Sequence, residues 1–228
     1  MEIVPGVHTI ERLGVGRAYL YAEADRLTLI DTGLAGSAER IFAAVERLGR
    51  RPEDVRQIVV THHHRDHAGS LVDVIERSGA QVLVHALDAP VVRGERPAPA
   101  PRALRFWLRV RRAQPSPPAR VDRELQDGDE IDLEGGATVV HVPGHTAGSI
   151  AVFVPSRRLL FAGDAATNVA GLRPPAGPFG IFNEDRARVK QSFAKLAELD
   201  FDVACFGHGA PLDRDASRAF RRVAERLA

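Results

Sequence analysis

The run Gln57 to His67, QIVVTHHHRDH, constrains this chain more than any other stretch. Its first part, Gln57 to Thr61, is β-branched and apolar, the pattern of a short strand buried on both faces. Directly behind it come His62, His63, His64 and His67, gathered within six positions around Asp66. The histidines therefore leave the end of a buried strand, the place where scaffolds present functional loops.

In an extended segment residues i and i+2 project to the same side. His62 and His64 can then grip one ion while His63 points away, and Asp66 and His67 face a second ion once the chain turns. Imidazole nitrogen with carboxylate oxygen suits Zn²⁺, and also Fe, Mn or Co, whereas Mg or Ca would ask for oxygen alone. Three later positions repeat the chemistry beside glycine: His145 in PGHTAGS, Asp164 in LFAGDA and His208 in FGHGAP. Asp164 is the natural bridge, because two cations about 3.5 to 4 Å apart repel and a shared anion offsets that. A structural zinc cage closes on four ligands, and this larger set leaves positions open for water and substrate.

Along the chain, 18–31 reads as two strands around a polar turn that ends at Asp31-Thr32-Gly33. Ser37 then caps an amphipathic helix to Leu48, stopped by Gly49. Further helices are expected at Leu71 to Ser78, Glu184 to Leu199 and Asp213 to Leu227, with strands at 81–85, 138–142, 150–154, 159–162 and 202–206. Between about 89 and 123 the composition shifts to Pro and Arg, which cannot supply regular sheet. That stretch is read as a surface insertion on a single 1–228 domain, with a short helix over Ala103 to Ala113 as a possible lid.

At 228 residues, 44 % hydrophobic and 27 % charged, the chain has the makeup of one globular domain. A net charge of +1 gives no global field for nucleic acid or an anionic membrane, so a small-molecule substrate is expected instead. The single Cys205 cannot form an internal disulfide, which suits a reducing compartment and points to the cytoplasm. No leader-like start occurs, and no run approaches the roughly 18 apolar residues that span a bilayer.

THHHRDHAG, PGHTAGS, GDA and GHG, in this order from residue 61 to 209, resemble the signature of metallo-β-lactamase-fold hydrolases. That resemblance implies an α/β fold, a four-layer αββα sandwich with a dinuclear metal site. It implies a first metal on His62, His64 and His145, a second on Asp66, His67 and His208, and Asp164 between them. Asp31 in LIDTG matches a family position that orients ligands from behind, and Asp66 is placed to guide a proton.

The expected reaction is hydrolysis of a carbonyl substrate such as a thioester, lactone or ester by a hydroxide bridging two Zn²⁺ ions, with Fe or Mn as other metals. Glyoxalase II enzymes share the THHHRDH-like run but carry a helical extension, and only one helix is expected after His208. Many acyl-homoserine lactonases place Tyr after the bridging Asp, where this chain has Ala165, Ala166 and Thr167. The alternative is an oxidoreductase similar to the mononuclear-iron persulfide dioxygenases; β-lactamase and nuclease activities rank behind both. Cys205 is expected as a buried small hydrophobe. His8, His63, His85 and His141 are expected to be held by hydrogen bonds rather than by metal, and Arg102, Arg105, Arg109 and Arg112 to form a solvated face or, as the alternative, to meet an anionic substrate.

Overall fold

The computed structural model describes residues 1–11, 13–99, 116–169 and 182–227. The helix expected over Ala103 to Ala113 and the four arginines of the insertion lie outside these residues, so the lid reading falls outside them too. The chain divides into two compact units, Met1–Arg96 with Ser116–Leu125, and Pro97–Pro115 with Gln126–Ala228.

The first unit is built on a seven-stranded sheet in the order β1-β2-β3-β4-β5-β6-β7. Its strands are β1 (Glu2–Val4), β2 (Val7–Thr9), β3 (Tyr19–Ala22), β4 (Leu27–Ile30), β5 (Val55–Val60), β6 (Gln81–His85) and β7 (Arg123–Leu125). Strands β1 to β4 run antiparallel, and from β4 to β7 every pairing is parallel. Parallel neighbours need crossovers, and helices α1 (Ala38–Arg47) and α3 (Leu71–Ser78) supply them. Alternate residues Leu27 and Leu29, Ile58 and Val60, Val82 and Val84 join Ile41, Phe42, Val45, Leu71 and Val74 of those helices in one core. The intervening residues Thr28, Ile30, Val59 and Leu83 are buried as well, so the middle of this sheet is covered on both faces.

The second unit carries a five-stranded sheet in the order β12-β11-β10-β9-β8. These are β8 (Glu130–Ile131), β9 (Ala137–His141), β10 (Ile150–Val154), β11 (Leu159–Phe161) and β12 (Val203–Cys205), the last pair parallel and the rest antiparallel. Helices α5 (Arg186–Ala197) and α6 (Ala216–Leu227) pack on it. Phe220 of α6 stacks on Phe193 of α5 at 4.9 Å between ring centroids and meets Phe201 edge-on at 5.1 Å. Burying each such ring contributes about 1.5–3 kcal/mol.

Expected helix boundaries shift by two or three residues, for identifiable reasons. α5 starts at Arg186 because Asp185 caps it, accepting from the backbone N–H of Ala187 at 2.9 Å and of Arg188 at 3.0 Å. α6 starts at Ala216 because Asp215 sits at φ +53, outside the helical region. Ser37 precedes α1 as expected but makes no side-chain cap bond; its own N–H donates to Ser70 Oγ at 2.8 Å. Part of the Pro/Arg stretch is regular after all: its ends form the one-turn α4 (Ala89–Val92) and the start of β7. Arg123 can join the sheet because it follows the last proline of the stretch. Among the described residues no helix is long and apolar enough to cross a membrane.

Candidate functional site

In the first unit the candidate ligands come off the carboxyl end of β5. Parallel register pairs Ile30 with Val59, so Asp31 leaves β4 beside the point where Thr61 leaves β5. Asp31 sits at φ +60, a left-handed conformation that Asp tolerates better than most residues. Its carboxylate accepts from the Thr61 N–H at 2.7 Å, from Thr61 Oγ1 at 2.8 Å and from His67 Nδ1 at 2.7 Å. Thr32 grips the same loop by its backbone, donating from N at 2.6 Å and from Oγ1 at 2.9 Å to the His67 carbonyl.

His62 and His64 lie in extended chain, and their ring centroids are 4.7 Å apart. The chain then turns through the one-turn helix α2 (Arg65–Ala68), which carries Asp66 and His67. That turn brings His67 to 4.0 Å from His62, ring to ring, and sets Asp66 Oδ2 3.7 Å from His67 Nε2. Gly69 lets the turn close, since a Cβ there would lie 2.5 Å from the Ala35 nitrogen and 2.2 Å from the Arg65 carbonyl oxygen.

These bonds also fix which ring nitrogen offers a lone pair. A carboxylate only accepts, so Nδ1 of His67 carries the proton and Nε2 is left as the donor to a metal. The Thr61 hydroxyl gives its proton to Asp31 and so receives one from His62 Nδ1, 3.1 Å away. Asp31 thus sets the tautomers of two histidines, one directly and one through Thr61.

In the second unit β11 and β12 repeat the device. Asp164 follows β11 in a short 3-10 turn (Gly163–Ala165), and His208 follows β12, its parallel neighbour. The Gly207 N–H donates to the Gly163 carbonyl at 2.9 Å, tying the two strand ends together. Asp164 Oδ2 lies 3.2 Å from Nε2 of His208 and 3.2 Å from Nε2 of His145. His145 stands in the loop between β9 and β10, and its Nδ1 lies 3.1 Å from Asn183 Oδ1, which leaves Nε2 facing Asp164. Asn168 receives the His208 loop, donating from its N–H to the His208 carbonyl at 3.0 Å and from Nδ2 to the Ala210 carbonyl at 2.7 Å. Gly209 is required there, because a Cβ would lie 2.0 Å from the Asn168 carbonyl oxygen.

The structure therefore gathers His62, His64, Asp66 and His67 in one unit and His145, Asp164 and His208 in the other. Each of these side chains falls in a group of His and Asp donors able to hold a metal ion. Of the histidines set aside, His63 is buried against Asp88, His85 Nδ1 accepts from the Leu87 N–H at 3.2 Å, and His141 Nε2 lies 2.9 Å from the Ala147 carbonyl. Burial pulls the His8 pKa below its ordinary value despite the nearby Glu2. Cys205 is buried in β12. Thr61, Asn183, Asn168 and Asp88 were not singled out from the sequence; only their positions at strand ends and in loops beside the ligands could have marked them.

Known proteins resemble the chain throughout this region. The sequence pattern of the metallo-β-lactamase superfamily matches residues 12–208. A probable metallo-hydrolase, YflN of Bacillus subtilis (strain 168), is 28 % identical over 92 % of this chain and 86 % of its own length. A hydroxyacylglutathione hydrolase of Pseudomonas aeruginosa (strain LESB58) is 32 % identical over 78 % of this chain, which spans only 54 % of that relative. Among solved structures the metallo-β-lactamase MIM-1 from Novosphingobium pentaromativorans shares the fold, with a TM-score of 0.77 over 99 % of this chain and 86 % of its own, at 24 % identity. Because the family pattern runs through both the histidine-rich loop and the later His and Asp motifs, this mixed α/β chain with two sheets belongs to the metallo-β-lactamase superfamily of metallo-hydrolases.

Proposed function

We propose that the chain is a dinuclear zinc hydrolase acting on a small carbonyl substrate, a thioester, lactone or ester. In this reading His62, His64 and His145 hold one ion, Asp66, His67 and His208 the other, and Asp164 is shared. One observation carries it: Asp164 Oδ2 lies 3.2 Å from the Nε2 atoms of both His145 and His208, a carboxylate oxygen shared by two imidazoles. The donor set fits zinc, since imidazole nitrogens predominate and the Nδ1 atoms of His67, His62 and His145 are engaged by Asp31, Thr61 and Asn183.

Bound there, zinc ions would supply an activated water and polarise the substrate carbonyl. The chain's own part is to fix the donors and handle the proton. Asp66, with a side chain 19 % exposed, is the more accessible carboxylate of the set and is assigned the proton transfer. Buried Asp31 and Asp164 contribute negative charge that favours cation binding over an empty site. The thioester branch is supported by the relative named hydroxyacylglutathione hydrolase. A reducing intracellular setting belongs to the same proposal and is supported by the single buried Cys205.

The test is metal content of protein purified without added metal, beside turnover of thioester, lactone, β-lactam and phosphodiester panels. Near two Zn per chain with hydrolysis of one of the carbonyl classes is the expected result. One Fe per chain without hydrolysis would overturn it in favour of an oxidoreductase, and preferential turnover of the β-lactams or phosphodiesters would overturn the substrate class.

A further inference from the structure

The loop that carries His62, His64, Asp66 and His67 is gripped from one flank by Asp31, off β4. A second carboxylate grips it from the other flank. Strand β6 pairs with β5 in parallel, Val84 beside Val60, so the chain leaving β6 passes next to the chain leaving β5. Three residues beyond His85 stands Asp88. Its Oδ2 accepts from the His63 backbone N–H at 2.9 Å and from His63 Nδ1 at 2.9 Å. Both side chains are sealed from solvent, 2 % exposed for His63 and 1 % for Asp88.

Asp88 is itself anchored. Its N–H donates to the His85 carbonyl at 2.9 Å, and its carbonyl accepts from Val91 at 3.0 Å and Val92 at 3.1 Å, which makes it the residue that caps the start of α4. The fixed carboxylate therefore pins a point lying between two candidate ligands. His63 also touches one of them: its ring packs edge-on against His64, 5.0 Å between centroids and 79° between planes. A buried carboxylate is costly unless it is charge-assisted, and a two-bond grip on a single residue both offsets that cost and removes the backbone freedom of His63.

We propose that Asp88 and His63 form a second clamp on the ligand loop and are positioning residues for His62 and His64. This inference rests on the metal-binding reading above. His63 belongs to none of the donor groups, and its work is to be held by Asp88, so that His64 meets a fixed wall and the flanking backbone a fixed angle. Asp31 holds the loop at Thr61 and at His67; Asp88 holds the residue between His62 and His64.

Zinc affinity by competition with a chromophoric chelator, and the visible bands of the Co²⁺-loaded protein, test this in wild type, Asp88→Ala, Asp88→Asn and His63→Ala. Asp88→Ala is expected to stay folded, lose about 10–100-fold in affinity and shift the Co²⁺ bands. Asp88→Asn offers a carbonyl to the same two donors and is expected to recover to within a few-fold of wild type. His63→Ala keeps the backbone bond, so its loss is smaller, but the Co²⁺ bands still shift because the wall beside His64 is gone; this variant carries the test should Asp88→Ala not fold. Wild-type bands and affinity in Asp88→Ala or in His63→Ala would overturn the clamp, as would Asp88→Asn being as damaged as Asp88→Ala. A wild-type protein that takes up neither metal would instead overturn the metal site itself.

Discussion

Replacing Asp31 by Asn separates what this residue does for the histidines from what it does for the backbone. Asn tolerates φ +60 about as well as Asp, so the strand exit survives, whereas Ala would add roughly 1–2 kcal/mol of left-handed strain. The carboxylate accepts three hydrogen bonds, from Thr61 N, Thr61 Oγ1 and His67 Nδ1. An amide has one carbonyl oxygen and one NH₂. With the oxygen toward the Thr61 N–H, the NH₂ meets His67 Nδ1, which must become an acceptor and move its proton to Nε2, the atom offered to metal. With the oxygen toward His67, the buried Thr61 N–H faces a donor, at about 1–3 kcal/mol. In the first case the His67 donor is compromised and the Thr61 hydroxyl, now facing an NH₂, no longer orders His62; in the second both of those bonds survive and the backbone that leads into His62 is pushed off its place. Substitutions of this kind behind a ligand cost 10–100-fold in metal affinity, or about 1.4–2.7 kcal/mol. Chelator competition on folded Asp31→Asn reads that loss, with thermal unfolding of the metal-free protein as the control on folding. Wild-type affinity in a folded variant would refute the tautomer reasoning.

Asp164→Ala is expected to lose most of its bound metal and its activity, and full activity in a folded variant would sink the assignment of the shared carboxylate. Cys205→Ala, by contrast, should leave metal content unchanged, because the thiol sits within β12 and is assigned no part in the chemistry. Phe220→Ala removes a fully buried ring that touches Phe193 and Phe201 and should cost about 3–5 kcal/mol in urea unfolding; a loss below about 1 kcal/mol would show that α5 and α6 do not depend on it. Asp127 should carry an acid dependence. Burial raises its pKa, but Lys195 Nζ at 2.8 Å and the His141 N–H at 2.7 Å outweigh that and hold it below 3.8. A depressed carboxylate contributes stability that is present above its unfolded pKa and fades as pH falls through the folded value. Asp127→Asn should therefore lower the melting temperature slightly at pH 7 and hardly at all at pH 2, and an equal or larger drop in acid would refute the sign.

Long periodic elements were legible in the sequence because burial writes them there. Leu71–Ser78 and Gln81–His85 fall where apolar spacing and Gly79 put them. The opening hairpin was not legible: β1 and β2 are three residues each, too short for a period, and only Pro5-Gly6 between Val4 and Val7 marks the turn. Ligand candidates were legible because His and Asp cluster in sequence beside glycines. Of the residues that orient them only Asp31 was legible, through LIDTG; Asn183 and Asp88 act through contacts 38 and 25 residues away along the chain, and Thr61 acts on its neighbour His62 only because Asp31, 30 residues away, takes its hydroxyl.

Both units solve one physical problem in the same way. A metal ligand must be held more rigidly than a loop alone allows, and a parallel strand pair places two chain ends side by side, so that a residue leaving one strand can hold a ligand leaving the other. Asp31 holds His67 in this way from β4 and β5, whereas β11 and β12 set two candidate ligands, Asp164 and His208, side by side. Loosening one partner therefore disturbs the other's donor as well. The bonds involved are few compared with the cores around Phe42 and Phe220, so such damage should appear in metal affinity well before it appears in global stability.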